Sequence, residues 1–175
     1  AMLLQTRSAE ATFQTVAVGD QVYLDNGLAG ANGEFTVRTP PSPGGTYLFD
    51  TFCVESSTYI TLNTPYYITS LGSSSDNPAV TLNDKAAALY GAFATARNLE
   101  SSGTQTSTYS LLGEAYGQNN TDSDLLQEAI WMFQGLIPGT LTNKYYVQAN
   151  GVSTAFIDYW KLGVKIMNLS TSANN

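Results

Sequence analysis

The hydrophobic pattern of the chain changes its period near Thr81, and this change most constrains the fold. Before it, apolar and polar residues alternate over short segments bounded by Gly and Pro, which is typical of β-strands. After it, Ala86, Leu89, Tyr90 and Phe93 recur at helical spacing. Strands that are followed by helices and then by one closing strand favour an α+β fold over a parallel α/β sheet.

The first half of the chain is predicted to consist of short strands. They fall at residues 11–24 (two strands), 34–38, 46–55, 59–62 and 66–71. In the segment 46–55, Leu48, Phe52 and Val54 share one face. Cys53 belongs to the opposite face, which is mixed in polarity, so another element of the fold can be expected to cover it.

The second half is predicted to be mainly helical. Helices are expected at 82–98, from a capped start within 121–124 to about 133, and at 153–162, with a strand at 164–169. Residues 109–116 have no clear period, and a helix is one interpretation. The segment 121–124, Thr-Asp-Ser-Asp, predicts a capped helix start. Gln127 would then lie in the first turn, beside Trp131 one turn later.

Length and charge limit the classes of function. A chain of 175 residues fits one domain, here with an N-terminal flank at 1–10 and a tail at 170–175. Fourteen acidic against seven basic residues give a net charge of −7, which argues against nucleic acid and anionic membranes as partners. No run of about 18 apolar residues is present. We expect any signal or anchor segment to lie outside this sequence.

Two residue types limit the chemistry. The chain has no histidine, which excludes Ser-His-Asp and Cys-His catalysis and zinc sites that contain histidine. It has one cysteine, which excludes an intrachain disulfide and a multi-cysteine metal site. We therefore expect neither a metal nor a cofactor, and Cys53 has no sulfur partner within the chain.

Two stretches carry a resemblance to a known family. The first is Thr51-Phe52-Cys53-Val54-Glu55, and the second is Leu125-Leu126-Gln127-Glu128-Ala129-Ile130-Trp131. Together they resemble the two halves of the bacterial thioester domain, which pairs an aromatic-Cys-hydrophobic strand with a hydrophobic-Gln-x-Ala-Ile-Trp helix start. The halves occur in the right order, with Cys53 and Gln127 separated by 74 positions. Residues 59–67 and 86–93 also look like stretches of secreted bacterial proteins that bear a PEP-CTERM sorting tail.

The resemblance implies an internal thioester between the Cys53 sulfur and the side-chain carbonyl of Gln127. It also implies a β-barrel or β-sandwich core with a helical subdomain packed across it, and the reactive bond where the two meet. The implied role is that of a secreted or surface-displayed bacterial adhesin. Such a domain attaches covalently to an amine-bearing protein, through lysine, or to another amino-containing surface ligand.

The chemistry of such a bond makes demands on the site. A carboxamide is a poor electrophile, so forming the thioester with loss of ammonia requires close positioning and exclusion of water. Phe52 and Trp131 are candidates for excluding water, and N–H groups at the helix N-terminus are candidates for stabilising the oxyanion. Glu55 and Glu128 are either acid or base groups or ordinary surface carboxylates. The bond reacts once per molecule, so we expect an anchor and not an enzyme.

Two alternatives remain open at this point. In the first, the bond forms but stays sealed, and it stabilises the fold as a disulfide that closes a long loop would. In the second, no bond forms, and the eleven tyrosines serve a non-covalent carbohydrate- or matrix-binding module. For Cys53 alone, a small buried apolar role is the ordinary interpretation.

Overall fold

The computed structural model describes residues 1–5, 15–27, 33–41, 44–76, 79–100, 109–117 and 119–173. The chain forms a mixed α+β fold, so the predicted class is confirmed. One antiparallel sheet is built from β1 (Met2–Gln5), β2 (Gln21–Asn26), β3 (Glu34–Arg38), β4 (Tyr47–Phe52), β5 (Pro65–Gly72) and a last strand numbered β8 (Val164–Ser170). The strand order across this sheet is β1-β8-β5-β2-β3-β4.

The remaining elements form a helical layer and a hairpin. The helices are α1 (Asp84–Glu100), α2 (Asn120–Phe133), α3 (Lys144–Gly151) and α4 (Thr154–Trp160), and the hairpin joins β6 (Tyr109–Leu111) to β7 (Glu114–Tyr116). Among the described residues, none of the helices has the length and apolar character needed to cross a membrane.

The sheet curls until its two edge strands touch at one end. Met2 of β1 and Cys53, just after β4, form an isolated antiparallel bridge. The Val54 N–H donates to the Ala1 carbonyl at 3.1 Å, and the Thr51 hydroxyl donates to the Leu3 carbonyl at 2.5 Å. No continuous ladder joins β1 to β4 among the described residues, so the closed barrel, one of the two expected cores, is not formed.

Two apolar clusters lie on either side of β4. The inner cluster contains almost only residues of the sheet and its loops: Met2, Val16, Val22, Leu24, Val37, Leu48, Phe49, Cys53, Tyr66, Ile68 and Met167. The helix-side cluster joins Leu3, Phe52, Val54 and Ile166 of the sheet and its margins to buried residues of α1, α2, α3 and the hairpin. Consecutive residues of the chain around Cys53 therefore face different clusters.

The predicted faces of the strand 46–55 are right at one end and wrong at the other. Phe52 and Val54 share the helix-side cluster, as predicted, and Cys53 belongs to the inner cluster. Leu48 also belongs to the inner cluster, because the pairing of β3 with β4 shifts register between Val37 and Arg38. Such an irregularity breaks the alternation of side chains along a strand.

Two strand predictions need correction, and the two predicted end segments contain strand residues. Residues 59–62 form a loop, with Tyr59 almost fully exposed and the Thr61 N–H bonded to the Tyr66 hydroxyl. The segment 11–24 yields one strand within the described residues, β2, since residues 15–20 are not strand and 11–14 lie outside the described part. The expected N-terminal flank contributes β1, and β8 extends into the expected tail as far as Ser170.

The segment 109–116 is a β-hairpin and not a helix. Its two turn residues, Leu112 and Gly113, both have positive φ, +56° and +89°. Positive φ at both central positions is the conformation of the two-residue turn that matches the twist of paired strands. Leucine rarely adopts it, so the sequence carried no usual hairpin signal here.

The helix that bears Gln127 begins earlier than predicted. Its N-cap is Asn119, whose side chain accepts a hydrogen bond from the Asp122 N–H at 3.0 Å. Gln127 therefore lies about two turns into α2 and not in its first turn. Free N–H groups at the helix N-terminus are too far along the axis to stabilise an oxyanion at Gln127.

Candidate functional site

Cys53 lies where the two edges of the sheet meet. It follows β4 directly, and its bridge to Met2 fixes its backbone against β1. The side chain is buried in the inner cluster, with its sulfur 4.0 Å from the sulfur of Met2. Because the bridge is isolated, the backbone of Cys53 keeps polar groups that the sheet does not use.

The side-chain amide of Gln127 forms hydrogen bonds with those backbone groups. Its Oε1 accepts from the Cys53 N–H at 2.9 Å, and its Nε2 donates to the Cys53 carbonyl at 2.7 Å. The side chain is 2% exposed, so both bonds lie in the interior. The side-chain amide thus pairs with the end of β4 much as a neighbouring strand would. The structure brings the predicted pair together. The two hydrogen bonds join the Gln127 amide to the backbone of Cys53.

Gly33 encloses the Gln127 side chain from the side of β3. A Cβ at position 33 would lie 2.6 Å from the Gln127 Cβ and 2.9 Å from its Cγ. Gly33 also has φ of +132°, a conformation that favours glycine. The next residue adds a second link to α2, since the Glu34 N–H donates to the Ser123 hydroxyl at 3.1 Å. Only glycine allows α2 to approach β3 this closely.

A cleft of about 510 Å³ opens over this pair. One wall is a stripe of α2 and the other comes from β3 and the loop 56–62. The lining residues are Asn26, Gly33, Phe35, Cys53, Ser56, Thr58, Tyr59, Ile60, Leu62, Asp124, Gln127, Glu128 and Trp131. Among the described residues, the lining contains three aromatic rings and two carboxylic acids, and no lysine or arginine.

The environment of Cys53 keeps its sulfur protonated. Burial raises the pKa of the Cys53 thiol to about 11, and the nearby charge of Glu55 adds to the rise. A buried thiol loses the water that would stabilise its anion. At neutral pH the group is therefore a neutral thiol, and it needs a proton acceptor before it can act as a nucleophile.

The four supporting residues predicted from the sequence fall into two sets. Trp131 and Glu128 line the cleft, Trp131 half-buried and Glu128 exposed. Phe52 is fully buried in the helix-side cluster, with its ring 4.9 Å from that of Phe93, and does not line the cleft. Glu55 is buried and faces a separate cavity, where it accepts from the Thr58 hydroxyl at 2.7 Å.

Two further residues of the site have no obvious sequence signal. Gly33 is one of fifteen glycines, and nothing in its neighbours marks the close approach of α2. Asp124 was interpreted as part of the helix cap. In the structure it lines the cleft one turn before Gln127, and its Oδ1 is buried without a hydrogen-bond partner among the described residues. Its place three residues before Gln127 is the one feature that could have suggested this.

A second buried polar group, the charged cluster, lies beside the site. It consists of Asp50, Arg97, Glu34, Tyr116, Thr36 and Tyr47. Asp50 accepts from Arg97 Nε at 2.6 Å, from the Thr36 hydroxyl at 2.7 Å and from the Tyr47 hydroxyl at 3.1 Å. Glu34 accepts from the Tyr116 hydroxyl at 2.5 Å. Burial raises the pKa of Glu34 to about 7, and the negative charge of Asp50 adds to the rise.

No family model, curated protein or solved structure is similar to the chain at a significant level. Within the described residues, no group of three or more potential ligand side chains is placed to hold a metal ion. The functional interpretation therefore depends on the geometry of Cys53 and Gln127 and on the cleft above them.

Proposed function

We propose that the chain is a secreted or surface-displayed bacterial domain in which Cys53 and Gln127 form an internal thioester that captures amines. The observation that supports it best is the pair of hydrogen bonds between the Gln127 amide and the Cys53 backbone, across 74 positions of sequence. They hold the amide carbon of Gln127 next to the residue that bears the only thiol of the chain.

The same hydrogen bonds favour the chemistry of bond formation. The sulfur attacks the Gln127 amide carbon, the thiol proton passes to the departing nitrogen, and ammonia leaves. Negative charge develops on Gln127 Oε1, which already accepts from the Cys53 N–H at 2.9 Å. A donor placed on that oxygen takes the role that the helix N-terminus was expected to have. Positioning lowers the barrier further, because both groups are held by packed elements.

Capture of a partner would release the Cys53 sulfur from the thioester. An amine attacks the thioester carbon, the C–S bond breaks, and the sulfur takes up a proton to become the Cys53 thiol. An amide remains at position 127. Covalent adhesion to a lysine of a protein, or to another amino-containing surface ligand, is the biological role that this chemistry supports.

Intact-mass measurement of freshly purified protein tests the proposal. We expect a mass lower than that of the sequence by one ammonia, and a Cys53→Ala variant that keeps its full mass. Incubation with methylamine should then add one methylamine and release a titratable thiol. Full mass together with a free thiol in fresh wild-type protein would refute the thioester and leave a non-covalent binding module as the better interpretation.

A sealed bond is the second candidate, and burial is the observation that favours it. Cys53 is 7% exposed and Gln127 is 2% exposed, so an amine must enter the floor of the cleft to react. If the bond only stabilised the fold, methylamine would add to unfolded protein but not to folded protein. Comparing the two in the same experiment separates an anchor from a structural cross-link.

A further inference from the structure

One face of α2 presents four residues to the cleft. Asp124, Gln127, Glu128 and Trp131 stand at positions i, i+3, i+4 and i+7, which is the spacing of a single helical stripe. Asp124 therefore lies one turn before Gln127 on the same face. It is the nearest carboxylic acid to Gln127 on the N-terminal side of that stripe.

Asp124 Oδ1 differs from the carboxylate oxygens of the buried Asp50 and Glu34 in its lack of a hydrogen-bond partner among the described residues, a property that it shares with Asp25 Oδ1 outside the cleft. Asp50 and Glu34 accept hydrogen bonds from side chains around them. Asp124 Oδ1 is shielded from solvent and has no partner among the described residues. An acceptor in this state has lost its hydrating water without gaining another partner, which is unfavourable for the folded protein. Such a group is explained if a donor arrives from outside the chain.

The cleft also indicates what kind of donor this is. Its described lining adds Glu128 to Asp124 and includes no basic side chain, so it favours a cation. Phe35, Tyr59 and Trp131 supply apolar walls. A lysine side chain combines an apolar stem of methylenes with a terminal ammonium, and it suits such a site.

We propose that Asp124 receives the ammonium group of a partner protein's lysine and takes the proton that the amine must lose before it attacks Gln127. This inference rests on the proposed thioester and assigns its substrate class. Asp124 is a catalytic residue in this scheme, since it contacts the attacking nitrogen. The aromatic walls hold the methylene stem.

The protons balance in two transfers. The ammonium gives one proton to Asp124, which later returns it to solvent, and the neutral amine attacks the thioester carbon. The nitrogen loses a second proton as the amide forms, and that proton ends on the Cys53 sulfur as the C–S bond breaks. The Cys53 sulfur needs this proton, because burial raises the pKa of its thiol to about 11 and makes the free thiolate a poor leaving group.

The test compares the reaction rates of cationic and neutral nucleophiles in two variants that each lose one negative charge. Asp124→Asn is compared with Asp158→Asn, which removes the same charge from an exposed position on α4. Each variant is checked first for loss of ammonia by intact mass. Rates of adduct formation are then measured with methylamine, with Nα-acetyl-lysine amide and with hydroxylamine, which is largely uncharged at neutral pH.

We expect Asp124→Asn to form the thioester and to react with methylamine and with the lysine amide about 100-fold more slowly than wild type. Its rate with hydroxylamine should stay within about twofold, since no ammonium has to be bound or deprotonated. Asp158→Asn should match wild type with all three. Asp124→Glu, which keeps the carboxylate, should recover part of the lost rate.

Three results would overturn the assignment of Asp124. An equal loss with all three nucleophiles would show that Asp124 supports the structure of the site. Unchanged rates would show that Asp124 has no part in capture. A variant that folds but never loses ammonia would place Asp124 in bond formation. In all three cases the wild-type protein still forms the thioester and reacts with amines. A wild-type protein that keeps the full mass of its sequence would instead refute the thioester itself.

Discussion

Two sets of buried polar residues, the charged cluster and the Cys53–Gln127 site, lie next to each other. They differ in how completely their polar atoms are hydrogen-bonded. In the charged cluster, the buried side-chain oxygens and nitrogens of Asp50, Arg97 and Glu34 have partners within the described structure. Around Cys53 and Gln127, two atoms do not: Asp124 Oδ1 and Trp131 Nε1 are buried without partners among the described residues. Both of those residues line the cleft, and no member of the charged cluster does.

This difference distinguishes polar groups that stabilise the fold from polar groups that remain available to a ligand. A buried network whose groups are all satisfied holds its elements in one arrangement and has nothing left to offer a ligand. A buried site with unpaired groups is costly for the fold, and a molecule that supplies the missing partners removes that cost. The charged cluster thus connects α1, β3, β4 and the hairpin, and the site beside it keeps unused hydrogen-bonding capacity.

Breaking the charged cluster should have the largest effect on stability. Arg97→Met leaves Asp50 buried without its cation, and we expect the free energy of unfolding to fall by about 3–5 kcal/mol. Urea unfolding followed by circular dichroism measures it. The control is Arg38→Met, whose partner Asp25 is near the surface; there the loss should stay below about 1 kcal/mol. Equal losses in the two variants would contradict the contrast.

Glu34 gives the charged cluster a pH dependence. Burial, and then the charge of Asp50, raise the pKa of Glu34 from 4.5 to about 7, while Tyr116 and Arg97 act in the opposite direction. Between these two values the folded state binds the extra proton. The free energy of unfolding should therefore fall as pH rises from 4.5 through 7, by on the order of 3 kcal/mol.

Glu34→Gln isolates this contribution. The amide resembles the protonated acid and can still accept from Tyr116, so the variant should lack the fall in stability across that pH range. Urea titrations of both proteins at several pH values between 4 and 8 give the difference. Parallel curves would mean that Glu34 has the same pKa in the folded and the unfolded protein, so that it contributes no pH dependence.

The fold was predictable where a pattern is local. The helix α1, the closing strand β8 and the buried stripe of Leu126 and Ile130 follow from periodicity alone. The hairpin at 109–116 was not predictable, because its turn places Leu112 at positive φ, which is favourable only within the folded protein. The curl of the sheet that brings Met2 to Cys53 depends on pairing across 51 positions, which no local pattern records.

The proximity of Cys53 and Gln127 was predictable from the sequence, and the surroundings of the pair were not. Cys53 and Gln127 could be paired because each lies within a recognisable stretch of sequence. The start of α2 was placed too late because Thr121-Asp122 resembles a cap, whereas the bond from the Asp122 N–H to Asn119 sets the actual start. Asp124 was then assigned to the cap and not to the cleft. Gly33 became visible only with the tertiary contact between β3 and α2.

Gly33 links the Cys53–Gln127 site to the charged cluster, because it packs on Gln127 and directly precedes Glu34. Gly33→Ala introduces a Cβ that would lie 2.6 Å from the Gln127 Cβ, at a φ that L-residues avoid. Gly19→Ala is the matched control, because Gly19 also has positive φ but no atom within 4 Å of an added Cβ. Both variants should lose about 1 kcal/mol or more through backbone strain. Only Gly33→Ala should lose a further 1–3 kcal/mol, approximately, through overpacking.

The same pair of variants tests how closely bond formation depends on packing. If α2 is displaced from β3, the Gln127 amide moves away from the Cys53 N–H and carbonyl, and the ammonia loss seen by intact mass should be slow or absent in Gly33→Ala. Gly19→Ala should lose ammonia as wild type does. Complete ammonia loss in Gly33→Ala would show that the amide reaches the sulfur without this contact. Positioning by β3 would then be unnecessary, and the bridge to Met2 alone would have to hold Cys53 in place for the reaction.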